Sequence, residues 1–459
     1  MFSEKRITCL KSAPVRKQGR YVLYWIQSTK RAENNFALSY AVEQANDLNL
    51  PLLVYEQVSC SYPYACDRLQ QFILENSREL GPRLKARGAR YFFNLEKDRR
   101  RRLKMLPEFA ARAALLVTDD FPAFLPPRQT RWLAGRVEIP VFAVDSCGLV
   151  PLAEMIRQEY AARTIRPKIH RLLPQYLKPA RTPRLTIDST ELPLPPGNFD
   201  WGNSSLAETV ASCPISHRVP ASPFFPGGYR AARKFLADFL THKLADYATR
   251  KNRPEWDGTS NLSPYLHFGV ISAQQVALGG GSLSAEAYLE ELIVRRELSF
   301  NYCKFNPGYE SLEGLPRWAQ GTLARHAADR RSYLYSLEQF EAAQTHDPLW
   351  NACQTELLVS GKIHGYLRMY WGKKILDWSR TPAEALETMI YLNNQYALDG
   401  RDPNSWVGIL WCLGLHDRPF GERPVFGQIR YMSGESLKRK IDVRGYVERV
   451  HRMRPAEAI

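Results

Sequence analysis

The sequence predicts two domains, a doubly wound α/β domain followed by an all-α domain, joined by a long linker. The chain has 459 residues, which is more than a single hydrophobic core usually organises. Short apolar runs alternate with helical patterns in the first third, whereas nearly every segment after Gly228 has a helical pattern. A Pro-rich, polar stretch without periodicity separates the two parts.

Five apolar runs predict the strands of the first domain. They are short and rich in β-branched and aromatic residues, and they lie at Tyr21–Ile26, Leu52–Val58, Arg90–Leu95, Leu115–Asp119 and Val141–Asp145. Strands that alternate with helices form a parallel, Rossmann-like sheet. The helices between them include ENNFALSYAVEQANDL and a helix that closes on Gly88.

No strand is followed by a GxGxxG or Walker-type loop. The first domain thus has a nucleotide-binding architecture without its phosphate-binding signature, so any cofactor there must be held in another way. The basic run KDRRRRLK at 97–104 suggests a DNA patch, but we interpret it as the solvated start of a helix.

We place the domain boundaries from these changes in composition. Residues 1–19 are predicted to be a flexible arm, 20–178 the α/β domain, 179–226 the linker and 227–459 the helical domain. The linker includes PARTPRLTIDSTELPLPPGNFDWGNSS, the pattern of a long connection or wrapping loop.

Charge and cysteine content narrow the class of protein. Lys and Arg outnumber Asp and Glu by 63 to 47, giving a net charge of +16, which suits a polyanionic partner, although a moderately basic enzyme is the alternative. The eight cysteines form no CxxC and no metal-ligand spacing with His, which predicts reduced, mostly buried thiols. No apolar stretch approaches the length of a membrane span. We expect a cytoplasmic protein without metal or membrane, and a monomer.

Half of the tryptophans, five of ten, fall between positions 350 and 411. Trp371 and Trp378 are seven residues apart, so on one helix they share a face, and Trp350 can reach them only from a neighbouring helix. Such rings form either a core or a path for electrons. Their spacing alone favours a core.

Three polar motifs in the helical domain are candidates for a binding site, and the first two each allow two interpretations. In TSNLSPYLHFG, Thr259, Ser260 and Ser263 either hold phosphate oxygens or simply cap a helix. In EELIVRRE, a carboxylate is either paired with Arg295 or Arg296 or kept for hydrogen bonding to a substrate. In DGRDPN, an Asp-Gly turn can present Asp399 to Arg368.

Together these motifs resemble one family. TSNLSPYLHFG, EELIVRREL, DPLWNACQ, GKIHGYLRMYWGKKILDW, IYLNN, DGRDPN and ERPVFGQIRYM, in this order and spacing, resemble the class II cyclobutane pyrimidine dimer DNA photolyases. The resemblance runs from about Tyr21 to the C-terminal basic helix, and residues 346–431 are its most specific part.

The resemblance implies an FAD site in the helical domain. Tyr247 and the segment formed by Thr259, Ser260, Asn261, Leu262 and Ser263 would surround the pyrophosphate and ribityl chain. Arg368 and Asp399 would form a salt bridge beside the flavin ring, with Gly400 on the adenine-facing turn. Asn393 would face flavin N5, with Asn404 as the alternative, since an amide can donate or accept without titrating. A deazaflavin or folate antenna in the α/β domain is a further implication.

The resemblance also assigns roles to the tryptophans and to a substrate pocket. Trp371 would lie nearest the flavin, Trp350 would be the middle relay, and Trp378 would reach the surface, so the trio would photoreduce FAD. Excited, reduced anionic FAD would then pass an electron to a flipped-out dimer and recover it after the ring splits. Glu291 would hydrogen-bond the dimer, and Met369 and Trp411 would pack against it, whereas Trp406 is interpreted as core.

The partner implied is double-stranded DNA that contains pyrimidine dimers. Arg418 and Arg430 would enter the vacated space, and Lys438, Arg439 and Lys440 would contact phosphates, with Arg250 and Lys251 as weaker candidates. Phe420 departs from the family, which usually has tryptophan there, and the loop 411–417 is one residue shorter. Phenylalanine still wedges against a base but lacks the indole N–H.

Two other classes of protein are weighed against a light-driven repair lyase. A cryptochrome-like signalling flavoprotein would use the same tryptophans, but Glu291, Trp411 and the arginines favour repair, and no long extension follows Met453. A helical nucleotide-binding module without photochemistry would lack flavin colour.

Overall fold

The α/β domain is built on a six-stranded sheet. The computed structural model describes residues 3–98, 104–179, 181–202, 205–279 and 285–453. The strands are β1 (Ile7–Lys11), β2 (Tyr21–Ile26), β3 (Leu52–Ser59), β4 (Arg90–Glu96), β5 (Ala113–Asp119) and β6 (Val141–Val144), and their order is β1-β6-β5-β2-β3-β4. The basic run at 97–104 lies mostly outside the described residues.

The predicted parallel, doubly wound sheet is confirmed for five strands. Strands β2 to β6 pair in parallel, and β2 and β5 at the centre are buried along their whole length. Burial on both faces explains why these strands are continuously apolar. The sheet is covered by α1 (Phe36–Asp47), α2 (Asp67–Lys85), α3 (Met105–Arg112) and α4 (Pro126–Ala134).

The prediction of a flexible arm over residues 1–19 is wrong for its central part. Ile7–Lys11 forms β1, which pairs antiparallel with β6, and a short 3-10 helix at Glu4–Arg6 precedes it. The guanidinium of Arg6 is buried and donates to the carbonyls of Asp145, Gly148 and Leu149. These bonds anchor the segment, because a buried guanidinium must have its donors satisfied.

The predicted linker wraps the α/β domain. Its Ser189 hydroxyl accepts from the N–H of Leu52, and Phe199 and Trp201 pack on Phe93 of β4. It contains the short helix α6 (Leu206–Ala211) and follows α5 (Ala162–Tyr176).

The rest of the described chain is helical, as predicted. Its α-helices are α7 (Tyr229–Asp238), α8 (Tyr247–Arg250), α9 (Ser263–His267), α10 (Ala273–Gly279), α11 (Glu286–Leu289), α12 (Arg296–Phe305), α13 (Arg317–Arg325), α14 (Leu337–Glu341), α15 (Pro348–Ser360), α16 (Gly365–Trp378), α17 (Pro382–Tyr396), α18 (Pro403–Cys412), α19 (Gly434–Lys438) and α20 (Val443–Arg452). Two π-helical turns lie at Phe239–Lys243 and Glu290–Arg295.

Helices α15 to α18 form the centre of the helical domain. Helices α16 and α18 approach closely at Gly372, where a Cβ would lie 2.5 Å from the Cys412 Sγ. The core around them contains Trp350, Trp371 and Trp378. In the described part of the chain, no helix is long and apolar enough to cross a membrane. The eight cysteines are free and mostly buried.

Candidate active site

A large cavity opens in the helical domain and collects many of the predicted site residues. This central cavity measures about 1250 Å³, counted to its open mouth. Tyr247, Thr259, Glu291, Arg368, Met369, Trp411 and Arg430 all line it. They come from segments more than 180 positions apart in the chain, so the fold assembles them.

A second cavity adjoins the first. This side cavity, of about 780 Å³, shares Thr259 and His364 with the central cavity and is also lined by Asn261, Lys362 and Arg449. The two cavities thus meet at Thr259 and His364. A long, bent ligand would therefore be able to occupy both.

Arg368 and Asp399 form the predicted salt bridge. The Arg368 Nη2 lies 3.0 Å from Asp399 Oδ1 and 3.3 Å from Oδ2, so it donates to both oxygens. Burial by itself would raise the pKa of Asp399, but the charge of Arg368 and the hydrogen bonds that it donates outweigh burial and lower that pKa. The Arg368 Nε is buried and has no protein partner, which leaves one donor available at the cavity wall.

His364 is a site residue that the sequence did not reveal as one. Its Nδ1 accepts from the N–H of Tyr366 at the start of α16, so in the neutral ring the proton lies on Nε2. Burial, with the nearby charges of Lys362 and Arg449, lowers the pKa of His364 to about 3. The ring is thus neutral, and its Nε2–H is a second buried donor without a protein partner. A lone His before a helix carries no signal of this role.

The segment 259–263 enters α9 as a tight turn. Asn261 has φ of 56°, its amide donates to Asp257, and its carbonyl accepts from Lys362 at 2.5 Å. The N-cap residue of α9 is Leu262, which makes no side-chain cap bond, while the Ser260 hydroxyl accepts from the N–H of Leu262 at 3.4 Å, so both interpretations of these hydroxyls stay predictions. Thr259 lies at the junction of the two cavities.

Glu291 lies in the second π-helical turn, at the mouth of the central cavity. Its carboxylate pairs with Lys251 at 3.0 Å, so the expected alternative pairing with Arg295 or Arg296 does not occur. The neighbouring Glu290 pairs with arginines instead: its carboxylate lies 2.7 Å from Arg166 and 3.5 Å from Arg295. Half of the Glu291 side chain is exposed (45%), and it faces the cavity. A π-helical turn shifts the side-chain register locally, which is common at functional sites.

Asn393 is buried beside the central cavity but does not belong to its lining. Its Nδ2 donates to the Ser405 hydroxyl at 2.8 Å and to Asn394 at 3.2 Å. The alternative, Asn404, is exposed and its amide donates to Asp402 at the start of α18. Gly400 packs so tightly that a Cβ would lie 2.8 Å from the Asn393 carbonyl oxygen, which fixes the turn next to Asn393.

The three tryptophans lie on two packed helices, as their spacing predicts. Trp350 on α15 donates its indole N–H to the main-chain carbonyl of Trp371 at 2.9 Å, and its ring centre is 6.1 Å from that of Trp378. Trp371 is 1% exposed and its indole donates to Gln354. These contacts place the rings in one connected group.

The expectation that Trp378 reaches the surface is wrong. Its side chain is 3% exposed because Tyr335 and His346 cover it, with ring centres 5.7 and 4.9 Å away. His346 in turn stacks on Tyr333 at 3.7 Å, and Tyr333 is 48% exposed. Aromatic contacts thus continue from Trp378 to solvent.

Apolar walls and a basic rim complete the site. Met369 and Trp411 face the central cavity, and Arg295 lies 5.4 Å from the Trp411 ring. Trp406 is 3% exposed and packs on Tyr309, consistent with its interpretation as core. Arg418, Phe420, Lys438, Arg439 and Lys440 are exposed. Of the weaker candidates, Arg250 is half-buried and pairs with Asp246 at 2.9 Å, and Lys251 pairs with Glu291.

The α/β domain contains its own cavity at the carboxyl ends of its strands. This strand-end cavity, of about 1020 Å³, reaches from Gln27 and Gln57 to His267 and Arg401 of the helical domain. The Gln27 amide donates to Thr118 and Thr130, which leaves its carbonyl unpaired, and the Gln57 carbonyl accepts from Tyr55, which leaves its amide unpaired. Parallel α/β sheets bind ligands at this end.

The fold defines the class of protein. The structure is similar to an archaeal photolyase from Sulfolobus tokodaii that was solved with two FAD molecules, with a TM-score of 0.67 at 17% identity over 93% of this chain and 89% of that chain. At that identity the similarity establishes the photolyase fold.

Sequence comparisons establish the family. The DNA photolyase family model matches residues 22–184. The deoxyribodipyrimidine photo-lyase of Methanothermobacter thermautotrophicus is 40% identical over 98% of this chain and 99% of its own length, and that of Arabidopsis thaliana is 39% identical over 94% and 88%. The chain belongs to the DNA photolyase family.

Proposed function

We propose that the protein repairs cyclobutane pyrimidine dimers in DNA under light, as a class II photolyase that uses FAD. The observation that carries this proposal is the central cavity, in which a substrate-type carboxylate, an Arg–Asp pair and apolar walls meet beneath a basic surface. A signalling protein of the same fold would have no use for the Glu291 carboxylate at the mouth.

The two cavities fit FAD. His364 and Arg368 each offer a buried N–H donor without a protein partner, and Thr259, Asn261 and Lys362 supply further polar groups along the side cavity. FAD carries the acceptors that these donors require, on its phosphates and ring system. Tyr247, Ser260, Leu262, Ser263 and Gly400 would shape the same pocket, and the Arg368–Asp399 pair would place a fixed charge arrangement at its wall.

FAD, when bound in its reduced anionic form, would supply under light the electron that opens the cyclobutane ring and would recover it afterwards. Arg368 is proposed to orient the bound ring through its free Nε–H. Asn393 is proposed to act next to that ring, and since its amide now donates to Ser405, it must turn toward the cavity to do so. Ser405 would then be its alternative partner.

The dimer is proposed to enter the central cavity after leaving the DNA duplex. Glu291 would accept hydrogen bonds from the pyrimidine N–H groups, and Met369 and Trp411 would pack on its faces. Flipping costs about a few kcal/mol and less at a damaged step, in photolyases generally. Arg418, Phe420 and Arg430 would occupy the space left in the duplex, and Lys438 and Arg439 would hold phosphates.

The tryptophan group is proposed to deliver electrons to the site when the cofactor is oxidised. Trp371, Trp350 and Trp378 are in contact through a hydrogen bond and a ring pair. This path prepares the cofactor and takes no part in repair. Because Trp378 is covered, electrons would enter through the aromatic rings above it.

The strand-end cavity is proposed to hold an antenna chromophore. Its free carbonyl on Gln27 and free amide on Gln57 suit the amide edge that deazaflavin and folate rings both carry. Both therefore remain alternatives for the antenna.

The test is an absorption spectrum of the purified protein followed by a repair assay. We expect flavin absorption, bleaching on reduction, and loss of thymine dimers from an oligonucleotide only when the reduced protein is illuminated. Flavin absorption without repair would favour the signalling alternative, and a colourless protein would exclude both.

A further inference from the structure

Residues 418–430 form a loop, called here the DNA-facing loop, which is hydrogen-bonded to the C-terminal end of α13. Its Arg418, Phe420 and Arg430 are exposed, and Phe420 lies 5.7 Å from the Arg418 guanidinium. The fastening point is the end of α13, where His326 and Asp329 meet Glu422 of the loop.

His326 lies between two carboxylates. Its Nδ1 is 2.6 Å from Asp329 Oδ2, and its Nε2 is 2.9 Å from Glu422 Oε1. A neutral imidazole has a single N–H and can donate to only one of them, whereas the imidazolium donates to both. The hydrogen bonds to Glu422 and Asp329 accordingly raise the pKa of His326 above its ordinary value.

Asp329 also hydrogen-bonds the backbone of the DNA-facing loop. Asp329 Oδ2 also accepts from the N–H of Val425, a β-branched residue held at φ of 69°. Such a conformation costs energy and persists only where neighbouring contacts fix it. Asp329 thus joins the His326 ring to the strained turn of the loop.

A second set of hydrogen bonds connects α13 to Phe420. The Thr322 hydroxyl on α13 accepts from the N–H of Gln428, and the Gln428 carbonyl accepts from the N–H of Phe420 at 2.9 Å. Gly427 between them approaches α13 so closely that a Cβ would lie 2.1 Å from the Thr322 Oγ1. Any shift of the loop away from His326 therefore moves Phe420.

No other charged group described near His326 bridges Glu422 and Asp329 as its ring does. Arg325 lies 3.9 Å from Glu422, and Arg331 donates to the His326 carbonyl rather than to a carboxylate. Glu422 is 55% exposed, so solvent screens its pairing, and the two-point hydrogen bond of His326 is the geometrically defined contact.

We propose that protonated His326 is a positioning residue for duplex DNA, which holds the DNA-facing loop in the form that opens the double helix at the dimer. The inference rests on the proposed function. A duplex must be opened before the dimer can enter the cavity, whereas a dimer in single-stranded DNA needs no such step. His326 should therefore matter for the duplex alone.

The sign of the pH dependence follows from the raised pKa. Below that pKa, His326 donates to both carboxylates and the loop is fixed. As pH rises through it, one carboxylate loses its donor and the loop loosens. Duplex affinity should fall over this interval, which lies above the ordinary His value of about 6.5.

The experiment measures dark binding of the flavin-loaded protein to a thymine-dimer oligonucleotide, as duplex and as single strand, and to the same duplex without damage, between about pH 6 and pH 9. The variants are His326→Gln, whose amide stays neutral across this pH range, and His326→Lys, which keeps a donor cation throughout. His217→Gln is the control, because His217 also pairs with a carboxylate, Asp67 at 2.6 Å, and lies on the linker.

We expect His326→Gln to bind the duplex about three- to tenfold more weakly at pH 6 and to lose the difference at pH 9, as one charged hydrogen bond is removed. His326→Lys should retain tight binding without the pH dependence, and single-strand binding should be unchanged in all variants. Equal loss on both DNA forms, or a wild-type pH profile in His326→Gln, overturns the proposal. A wild-type protein that fails to distinguish dimer from undamaged DNA would instead overturn the proposed function.

Discussion

The indole N–H of Trp350 donates to the main-chain carbonyl of Trp371, 21 residues later in the chain, at 2.9 Å. This bond ties the Trp350 ring to the backbone of α16 at a point where both tryptophans are buried, and the Trp371 indole donates separately to Gln354 at 2.9 Å. The bond makes the tryptophan group rigid as well as buried, which suits electron transfer.

Trp378→Phe tests the proposed electron path. A phenyl ring fills most of the same space but is much harder to oxidise, so photoreduction of oxidised flavin should slow by more than about tenfold. Repair by chemically reduced protein should be nearly unchanged. Flash photolysis and a repair assay would measure the two, with Trp406→Phe as a control at another buried tryptophan. Equal loss of both activities in Trp378→Phe would contradict the path.

Glu291→Ala tests the substrate carboxylate. Loss of one hydrogen bond to the dimer should lower repair about three- to tenfold, while flavin content stays normal. Repair yield per absorbed photon and the flavin-to-protein ratio are the measurements. Glu290→Ala serves as the control, since its carboxylate binds Arg166 outside the cavity. An empty flavin pocket in Glu291→Ala would show that Glu291 belongs to the cofactor site instead.

Asp399→Asn tests the buried salt bridge. Removing one partner leaves the Arg368 charge uncompensated, which should cost about 3 kcal/mol of unfolding free energy. Because the pKa of Asp399 is lowered, its contribution is complete above the ordinary Asp value of about 4 and is lost only as pH falls below it.

The free energies of unfolding of Asp399→Asn and wild type, measured with denaturant, should therefore differ by the same amount at pH 5 and pH 8. The exposed pair Lys438–Glu435 supplies the control, and Glu435→Gln should change stability little. A difference that already shrinks between pH 8 and pH 5 would mean that the carboxylate is not stabilised in its charged form.

The salt dependence of DNA binding tests the basic rim. Affinity for undamaged duplex should fall steeply with salt, and Lys438→Gln with Arg439→Gln should reduce the slope by up to about two, since each phosphate contact contributes about 0.9. Fluorescence anisotropy across a series of salt concentrations measures this slope of log affinity against log salt. Arg444→Gln, at an exposed site paired with Glu448, should leave the slope unchanged. An unaltered slope in the double variant would place the phosphate contacts elsewhere.

The sequence predicted the central strands well because burial on both faces makes them continuously apolar. It missed β1, since ITCLK is short, half polar and forms a strand only through its pairing with β6. Arg6 falls in the predicted flexible arm, yet carbonyls distant in sequence accept from it.

The candidate site was predictable where a motif carried it and unpredictable where only packing did. The Arg368–Asp399 pair was expected from the family pattern and is present. The exposure of Trp378 was misjudged because Tyr335 and His346 approach it from outside its own helix. Lys251 as the partner of Glu291, and the free donor of His364, depend on side-chain positions that no spacing encodes.

The short strand β1 has a consequence for self-association. It covers the outer edge of β6, whose backbone groups would otherwise be open to pairing with another chain. Removal of residues 1–11 would replace the short, half-polar edge strand β1 by the buried, apolar strand β6 as the outer strand of the sheet, and the shortened protein should therefore aggregate at lower concentrations than the full chain, as measured by size-exclusion chromatography.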